Sequence, residues 1–317
     1  MEVYVHVDAQ TLIQPEIKAK RKKVYIFLTI LALITFSISG VFGVSAYVGW
    51  NLTHPVRQQI NNTPLSQGLP YKNVVFTSRG DNLKLKGWLI PANGSTKTVI
   101  FAHGYRKNRL QNDVPSLPIA KALVSKGYNV LMFDFRNSGQ SEGKLTSVGQ
   151  YEVQDLLGAV DFIKSRPEIN KQIVLFGFSM GASTAILAGA REPAVSAVIA
   201  DSPFADLKTY LSKNLSVWTE LPSVPFNQTF FMIVPALTGL KPETVSPVKE
   251  IHNLNSRPIL LIHGEADEDI PIENSELLQR NYPQAKLLRV PGAKHVKSFT
   301  TDQNRYLYTV SAFLETI

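Results

Sequence analysis

Few local sequences restrict a backbone as tightly as Gly177-Phe178-Ser179-Met180-Gly181. The pentapeptide joins a short apolar run, Ile173-Val174-Leu175-Phe176, to a small-residue run, Ala182-Ser183-Thr184-Ala185-Ile186-Leu187-Ala188. The first run suits a buried strand and the second a helix, so the chain must turn from one into the other around Ser179. Flanking glycines are needed because a side chain there would collide with neighbouring backbone. Such a turn leaves the serine hydroxyl exposed. It also leaves the first N–H groups of the helix free to face a developing negative charge. The pattern is that of a nucleophile elbow, and it points to acyl-transfer chemistry.

The remainder of the chain supplies a fold for that elbow. Val74 to Thr77 and Leu83 to Ile90 flank Arg79-Gly80-Asp81-Asn82 and predict an antiparallel hairpin. Continuous apolar runs follow at Thr98–Ala102, Asn129–Phe133, Ile173–Phe176, Val195–Ala200, Pro258–Ile262 and Lys286–Val290. Runs of this kind suit central strands of a parallel sheet covered on both faces. Helical spacing separates them, as in Val153, Leu156, Leu157, Val160 and Ile163, and closes the chain in Leu307, Val310, Leu314 and Ile317. The alternation predicts an α/β class, a mostly parallel doubly wound sheet over residues 72–317. Its ligands should sit beyond the carboxyl ends of the strands. Residues 204–251 break the alternation and carry Trp218, Phe226, Phe230, Phe231 and Met232 among prolines, which predicts a small helical cap over the site.

The N-terminal region is of another kind. Val24 to Trp50 contains no charged residue, and about 20 such residues span a bilayer as a helix. Lys20-Arg21-Lys22-Lys23 abuts its start, so residues 1–23 should be a cytoplasmic tail, 24–50 a transmembrane signal anchor, and the bulk extracytoplasmic. The rival is a signal peptide cleaved near Ala46, after Val44-Ser45-Ala46; the apolar run is long for that role. Residues 51–71, polar and carrying Pro55, Pro64 and Pro70, read as a linker that lifts the domain off the membrane. The net charge of +8 is not gathered into a basic stripe interleaved with aromatics, so no nucleic-acid partner is expected. The absence of cysteine excludes disulfides, a cysteine nucleophile and thiolate metal sites.

A serine hydroxyl needs a base within hydrogen-bond reach, and the base needs an orienting carboxylate. Of the six histidines, His6 precedes the span, His54 lies in the linker and His252 near the end of the cap. His103 and His263 each follow a strand and precede glycine, which suits a turn-shaping role. His295, in Pro291-Gly292-Ala293-Lys294-His295 after the last strand, opens on the same sheet edge as the elbow and is the expected base. The acid should come from Glu265-Ala266-Asp267-Glu268-Asp269, with Asp267 first and Asp269 second. The oxyanion needs two N–H donors. Met180 supplies one, and Tyr105, in His103-Gly104-Tyr105-Arg106, the other. Arg106, Lys107 and Arg109, together with Lys294 and Lys297, read first as ordinary solvated cations and second as a basic rim around the mouth that would attract anionic substrates.

These segments together resemble the α/β-hydrolases, within them the membrane-anchored bacterial hydrolases with a serine-aminopeptidase-like domain. The resemblance rests on Phe101-Ala102-His103-Gly104-Tyr105 with Asn108-Arg109, on Asp134-Phe135-Arg136-Asn137-Ser138-Gly139-Gln140-Ser141-Glu142-Gly143, and on the elbow. It continues through Asp201-Ser202-Pro203, His263-Gly264-Glu265-Ala266-Asp267 and the His295 loop. Asn137-Ser138 departs from the Gly-His more often found there. The order Ser179, Asp267, His295 is also that of α/β-hydrolases. The resemblance implies a Ser–His–Asp hydrolase of a small-molecule ester or acyl substrate, with no cofactor or metal. Serine at the elbow argues against dehalogenase or epoxide-hydrolase chemistry, which uses Asp. The alternatives are an aminopeptidase, amidase or acyltransferase on the same triad, or a catalytically silent surface binding protein. An aminopeptidase should hold a free amine with acidic groups near the cap, and Glu220 and Glu243 are the candidates there.

Overall fold

The computed structural model describes Met1 and residues 9–317, with side chains from Ile17 onward, so His6 lies outside the described residues. Eight strands form one sheet: β1 (Lys72–Thr77), β2 (Lys84–Ile90), β3 (Lys97–Ala102), β4 (Asn129–Phe133), β5 (Gln172–Phe178), β6 (Val195–Asp201), β7 (Ile259–Gly264) and β8 (Lys286–Val290). Their spatial order is β1-β2-β4-β3-β5-β6-β7-β8. β1 pairs antiparallel with β2, and β2 with β4; every later pairing is parallel. From β3 the chain steps outward to β4, then returns to the other side of β3 with β5. That reversal opens a crevice beyond the ends of β3 and β5, where open α/β sheets bind ligands.

Alternate residues of a strand face opposite sides, and here both sides are covered. Ile100, Leu131 and Leu175 pack with Leu156, Val160 and Ile163 of α3 (Glu152–Lys164) and with Ile186 of α4 (Met180–Arg191). Their neighbours Val99, Val130 and Val174 pack on the other face with Ile119 and Leu123 of α2 (Ser116–Ser125) and with Val310 and Phe313 of α10 (Gln303–Leu314). Burial on both faces explains why these strands read as unbroken apolar runs rather than as alternating ones. Between β6 and β7 lies the helical cap: α5 (Leu207–Thr219), α6 (Ser223–Thr238) and the short α7 (Pro247–Glu250). α8 (Glu273–Asn281) follows β7, and the short α9 (Ser298–Thr301) precedes α10.

The N-terminal helix α1 (Ala9–Thr53) contains a span long and apolar enough to cross a membrane, and its most apolar stretch is covered by no other part of the chain. Its C-terminal end is different. Ser45 Oγ and Thr229 Oγ1 of α6 share a hydrogen bond of 2.6 Å. Gly49 lies so close to α6 that a Cβ there would stand 2.1 Å from Val234 Cγ2. The last carbonyls of a helix lack intrahelical partners. Here the domain provides some: the Tyr105 hydroxyl donates to Leu52 O at 2.5 Å, and Thr146 N–H to Thr53 O at 2.7 Å.

Residues 51–71 accordingly do not lift the domain away, as their polar composition suggested; they run along it. Arg57 donates to Ser141 O at 2.5 Å and to Gly143 O at 2.6 Å. Asn108 Nδ2 donates to Gln58 O and Gln59 O at 3.2 and 3.1 Å. Leu69 is buried, and Ile60 and Tyr71 pack against the core. The Arg57 guanidinium and the carbonyls of Gln58 and Gln59 are spent on the domain rather than on water.

Candidate active site

Ser179 sits between β5 and α4 with φ 54° and ψ −120°, left-handed backbone that a non-glycine residue adopts only under constraint. The constraint is close packing. A Cβ on Gly177 would lie 2.1 Å from Gly181 O, and one on Gly181 2.1 Å from Ala102 O. Ser179 N–H donates to Asp201 O at 2.8 Å and ties the turn to the end of β6.

The Ser179 hydroxyl lies 2.9 Å from His295 Nε2, and His295 Nδ1 lies 2.8 Å from Asp267 Oδ2. A carboxylate oxygen only accepts, so Nδ1 carries the proton and Nε2 offers its lone pair to the serine. Burial favours the neutral form of Asp267. It is outweighed by hydrogen bonds from His263 and His295, by the His295 charge and by Ile270 N–H, which donates to Oδ1 at 2.9 Å. The carboxyl is held at about 2. For His295 burial acts downward, but the hydrogen bond and charge of Asp267, with Asp269 and Asp201 behind it, raise its pKa above the ordinary value.

Asp269 does not meet the imidazole by hydrogen bond; its backbone carbonyl accepts from the Tyr210 hydroxyl at 2.8 Å. Glu265 and Glu268 are exposed. His263 has a larger part than shaping a turn. Its Nε2 lies 2.7 Å from Ile270 O and 3.3 Å from Asp267 Oδ2, and its Nδ1 is 2.7 Å from Ser275 Oγ. It braces the loop that carries Asp267 and adds a third donor to that carboxylate. The only sequence signal for this is the spacing of four between the two residues. His103 is buried, which lowers its pKa. Its Nε2 accepts from Phe135 N–H at 3.0 Å and its Nδ1 meets Gly104 O at 2.8 Å, so it is a neutral brace of the loop after β3.

That loop passes close to the serine: a Cβ on Gly104 would stand 3.4 Å from Ser179 Cβ. Gly104 N–H is committed to Gln111 Oε1 at 2.5 Å, whereas Tyr105 N–H donates to no acceptor among the described residues. Met180 is the first residue of α4, so its N–H has no intrahelical partner either.

A basic rim is only partly formed: Arg106 and Lys294 are exposed, but the other three cations are engaged within the protein. Arg109 is interior, its side chain 1% exposed, paired with the buried Asp134 at 2.5 Å and set over the Trp88 ring. Asp134 also accepts from Arg109 N–H and Gln140 N–H, both at 2.8 Å, so this motif pins the loop rather than lining the mouth. Lys107 pairs with the Asp113 carboxylate at 3.0 Å, and Lys297 donates to Asp113 O. Arg106 lies over the Tyr105 ring.

Ser179 opens instead onto an apolar cleft, with about 590 Å³ of space free of protein atoms, part of it continuous with solvent. The cap contributes Leu211, Trp218 and Phe230, and the end of α1 contributes Leu52 and Thr53. Polar groups in its wall are paired within the protein. Trp218 Nε1–H donates to Tyr210 Oη at 2.7 Å, Tyr105 Oη–H to Leu52 O, and Thr53 Oγ1–H to Gly49 O at 2.8 Å. Glu220 and Glu243 are exposed and do not line it.

Residues 94–246 match the family model described as serine aminopeptidase, S33. YqkD of Bacillus subtilis is 33% identical over 234 residues, covering 73% of this chain and 75% of its own. The chain belongs to the α/β-hydrolases of this family, and it is a hydrolase. YfhR of Escherichia coli K12 is 31% identical over 239 residues, 72% of this chain and 75% of its own. Among solved structures, the esterase Pf2001 of Pyrococcus furiosus superposes with a TM-score of 0.71 at 31% identity, covering 84% of this chain and 98% of that one.

Proposed function

We propose that this protein is a serine hydrolase that cleaves carboxylic esters through an acyl-enzyme on the extracytoplasmic face of a membrane. The observation that carries the reading is the unbroken hydrogen-bonded run from Asp267 through His295 to Ser179, ending at an apolar cleft. His295 Nε2 takes the Ser179 proton as Oγ attacks the ester carbonyl. The oxyanion rests on the Met180 and Tyr105 N–H groups, each such donor being worth about 3 kcal/mol in the transition state. Collapse of the tetrahedral adduct breaks the C–O bond, and His295 returns the proton to the leaving alcohol. Water, deprotonated by His295, then attacks the acyl-enzyme, releasing the acid and restoring Ser179. Asp267 keeps the imidazole in the required tautomer and offsets its charge.

The wall favours an acyl group over a free amine: its polar atoms are already paired, and Glu220 and Glu243 stand outside it. The esterase activity named for Pf2001 supports the same choice. In this reading residues 1–23 are cytoplasmic, residues 24–50 are an uncleaved anchor, and residues 72–317 form the catalytic domain with its cap at 204–251. Burial of Ser45 and the close approach of Gly49 to α6 support retention of the anchor, because cleavage near Ala46 would break that seam. A fluorophosphonate probe on the purified full chain should label wild type and fail on Ser179→Ala. Labelling that survives the substitution would move the nucleophile elsewhere, and absence of labelling in folded wild type would remove the enzyme reading.

A further inference from the structure

The face that α6 turns away from the domain carries large apolar side chains, and its polar members, Ser223 and Gln228, are uncharged. Residues 221–240 contain no charged side chain. Phe230 and Val234 pack inward with Leu215 and Leu240, while Val224 and Met232 are 72% and 64% exposed. A surface helix normally carries its polar residues on the outer side. An apolar outer side on a charge-free segment calls for an apolar covering.

The geometry of α1 says what covers it. A helix rises about 1.5 Å per residue, so Ser45 lies about 30 Å along α1 from Val24, the first residue after the basic cluster. That is about the thickness of the hydrocarbon core. The contact between Ser45 and Thr229 therefore falls at its outer boundary. Ser45 meets Thr229 and Gly49 meets Val234, so the two helices run in the same direction. Met232 is then level with the stretch of α1 between those contacts, where Tyr47 is exposed at the depth favoured by interfacial aromatic rings. On the inner side of the same seam, Leu52, Thr53 and Phe230 line the cleft that contains Ser179.

We infer that the outer face of α6 rests in the outer leaflet, and that the substrate is an acyl ester resident in the bilayer, its chain passing into the cleft beside the α1–α6 seam. This rests on the serine hydrolase reading above and names the substrate class for that site. The seam gives an acyl chain an apolar surface from leaflet to cleft, while the ester carbonyl stops at Ser179. Attack by Oγ transfers the acyl group to serine and releases the lysolipid or alcohol with the proton carried by His295. Water then frees the fatty acid.

The chain has no cysteine, so single labels report one place each. Full-length Met232→Cys, carrying an environment-sensitive fluorophore and reconstituted in phosphatidylcholine–phosphatidylglycerol vesicles, should emit to the blue and be quenched by doxyl-labelled lipid. A label on Tyr308→Cys, 75% exposed on α10, should be neither. Met232→Glu should slow hydrolysis of a fluorogenic diacylglycerophospholipid in those vesicles at least tenfold. Its rate on water-soluble p-nitrophenyl acetate should stay within twofold of wild type. A label at 232 that behaves like the one at 308, or vesicle hydrolysis untouched by Met232→Glu, would overturn the inference. So would wild type that takes the fluorophosphonate and cleaves p-nitrophenyl acetate but leaves the vesicle lipid intact; the hydrolase reading survives that result. Failure of the fluorophosphonate to label wild type removes both.

Discussion

Replacing Asp267 with Asn tests the site at its most constrained atom pair. Three donors converge on this carboxylate: Ile270 N–H on Oδ1, and His295 Nδ1 and His263 Nε2 on Oδ2. An amide cannot serve all three, since it keeps one acceptor oxygen and presents an NH2 in place of the other. With its oxygen toward Ile270, the NH2 faces His295 Nδ1, which must then accept. The proton moves to Nε2, and the lone pair that would receive the Ser179 proton is gone. With the amide turned over, the NH2 meets Ile270 N–H and leaves a buried donor unpaired, at a cost of about 1–3 kcal/mol. The first arrangement is cheaper and is the inactive one. The expected loss in kcat is about ten-thousandfold, the figure for an acid-to-amide change in a Ser–His–Asp arrangement, or about 5 kcal/mol of barrier. The assay is kcat/KM on p-nitrophenyl acetate from pH 5 to 9. In the proposed mechanism activity needs neutral His295, so in wild type it should be present above the raised pKa of that group and lost as pH falls through it. The residual activity of Asp267→Asn should lose its acid limb at lower pH, because the hydrogen bond and charge that raise His295 are gone. Asp269→Asn should stay within a few-fold of wild type, since its carboxylate makes no hydrogen bond to the imidazole and acts on His295 only through its charge. A loss under tenfold in Asp267→Asn with an unmoved acid limb would refute the reasoning.

Two further outcomes concern folding. Gly181→Ala places a methyl 2.1 Å from Ala102 O, which is backbone and cannot swing aside. Overpacking of this sort costs about 1–3 kcal/mol, and the variant should show a lower Tm and slower fluorophosphonate labelling as the elbow shifts. Arg109→Met leaves Asp134 buried without its cation, and breaking a buried pair costs about 3–5 kcal/mol. Chemical denaturation should show a loss of that size, and a loss below 1 kcal/mol would mean that the pair does not hold the loop after β3.

Much of the sheet was legible because burial on both faces writes itself as uninterrupted apolar runs. Asn129–Phe133 and Lys286–Val290 are strands to the residue. β5 extends further than its apolar run, since Gly177 and Phe178 still pair with β6 before the elbow. The three residues of the hydrogen-bonded run could be picked out because each follows a different strand on one edge. Features that depend on partners distant in the chain could not. Arg109 reads as a surface cation until Asp134, 25 residues on, is seen beside it. The relation of His263 to Asp267 left only the spacing of four as a trace, because it depends on Ile270 bonding to both. The polar stretch 51–71 has the composition of a spacer, and nothing local reveals that Ser141, Gly143 and Asn108 take up its hydrogen bonds. The seam of α1 with α6 joins residues some 184 apart in the chain, through a hydroxyl pair, a glycine against a valine and Leu52 packed beside Phe230 and Val234.

Leu52 and Thr53 have a practical consequence. They belong to the same helix as the long apolar span, the part most readily trimmed from the N-terminus, yet they line the cleft onto which Ser179 opens. A shed or truncated form would have a breach where that helix ended, and the Tyr105 hydroxyl would lose its acceptor on Leu52. Chain-length preferences measured on such a fragment would describe an enzyme with one side missing.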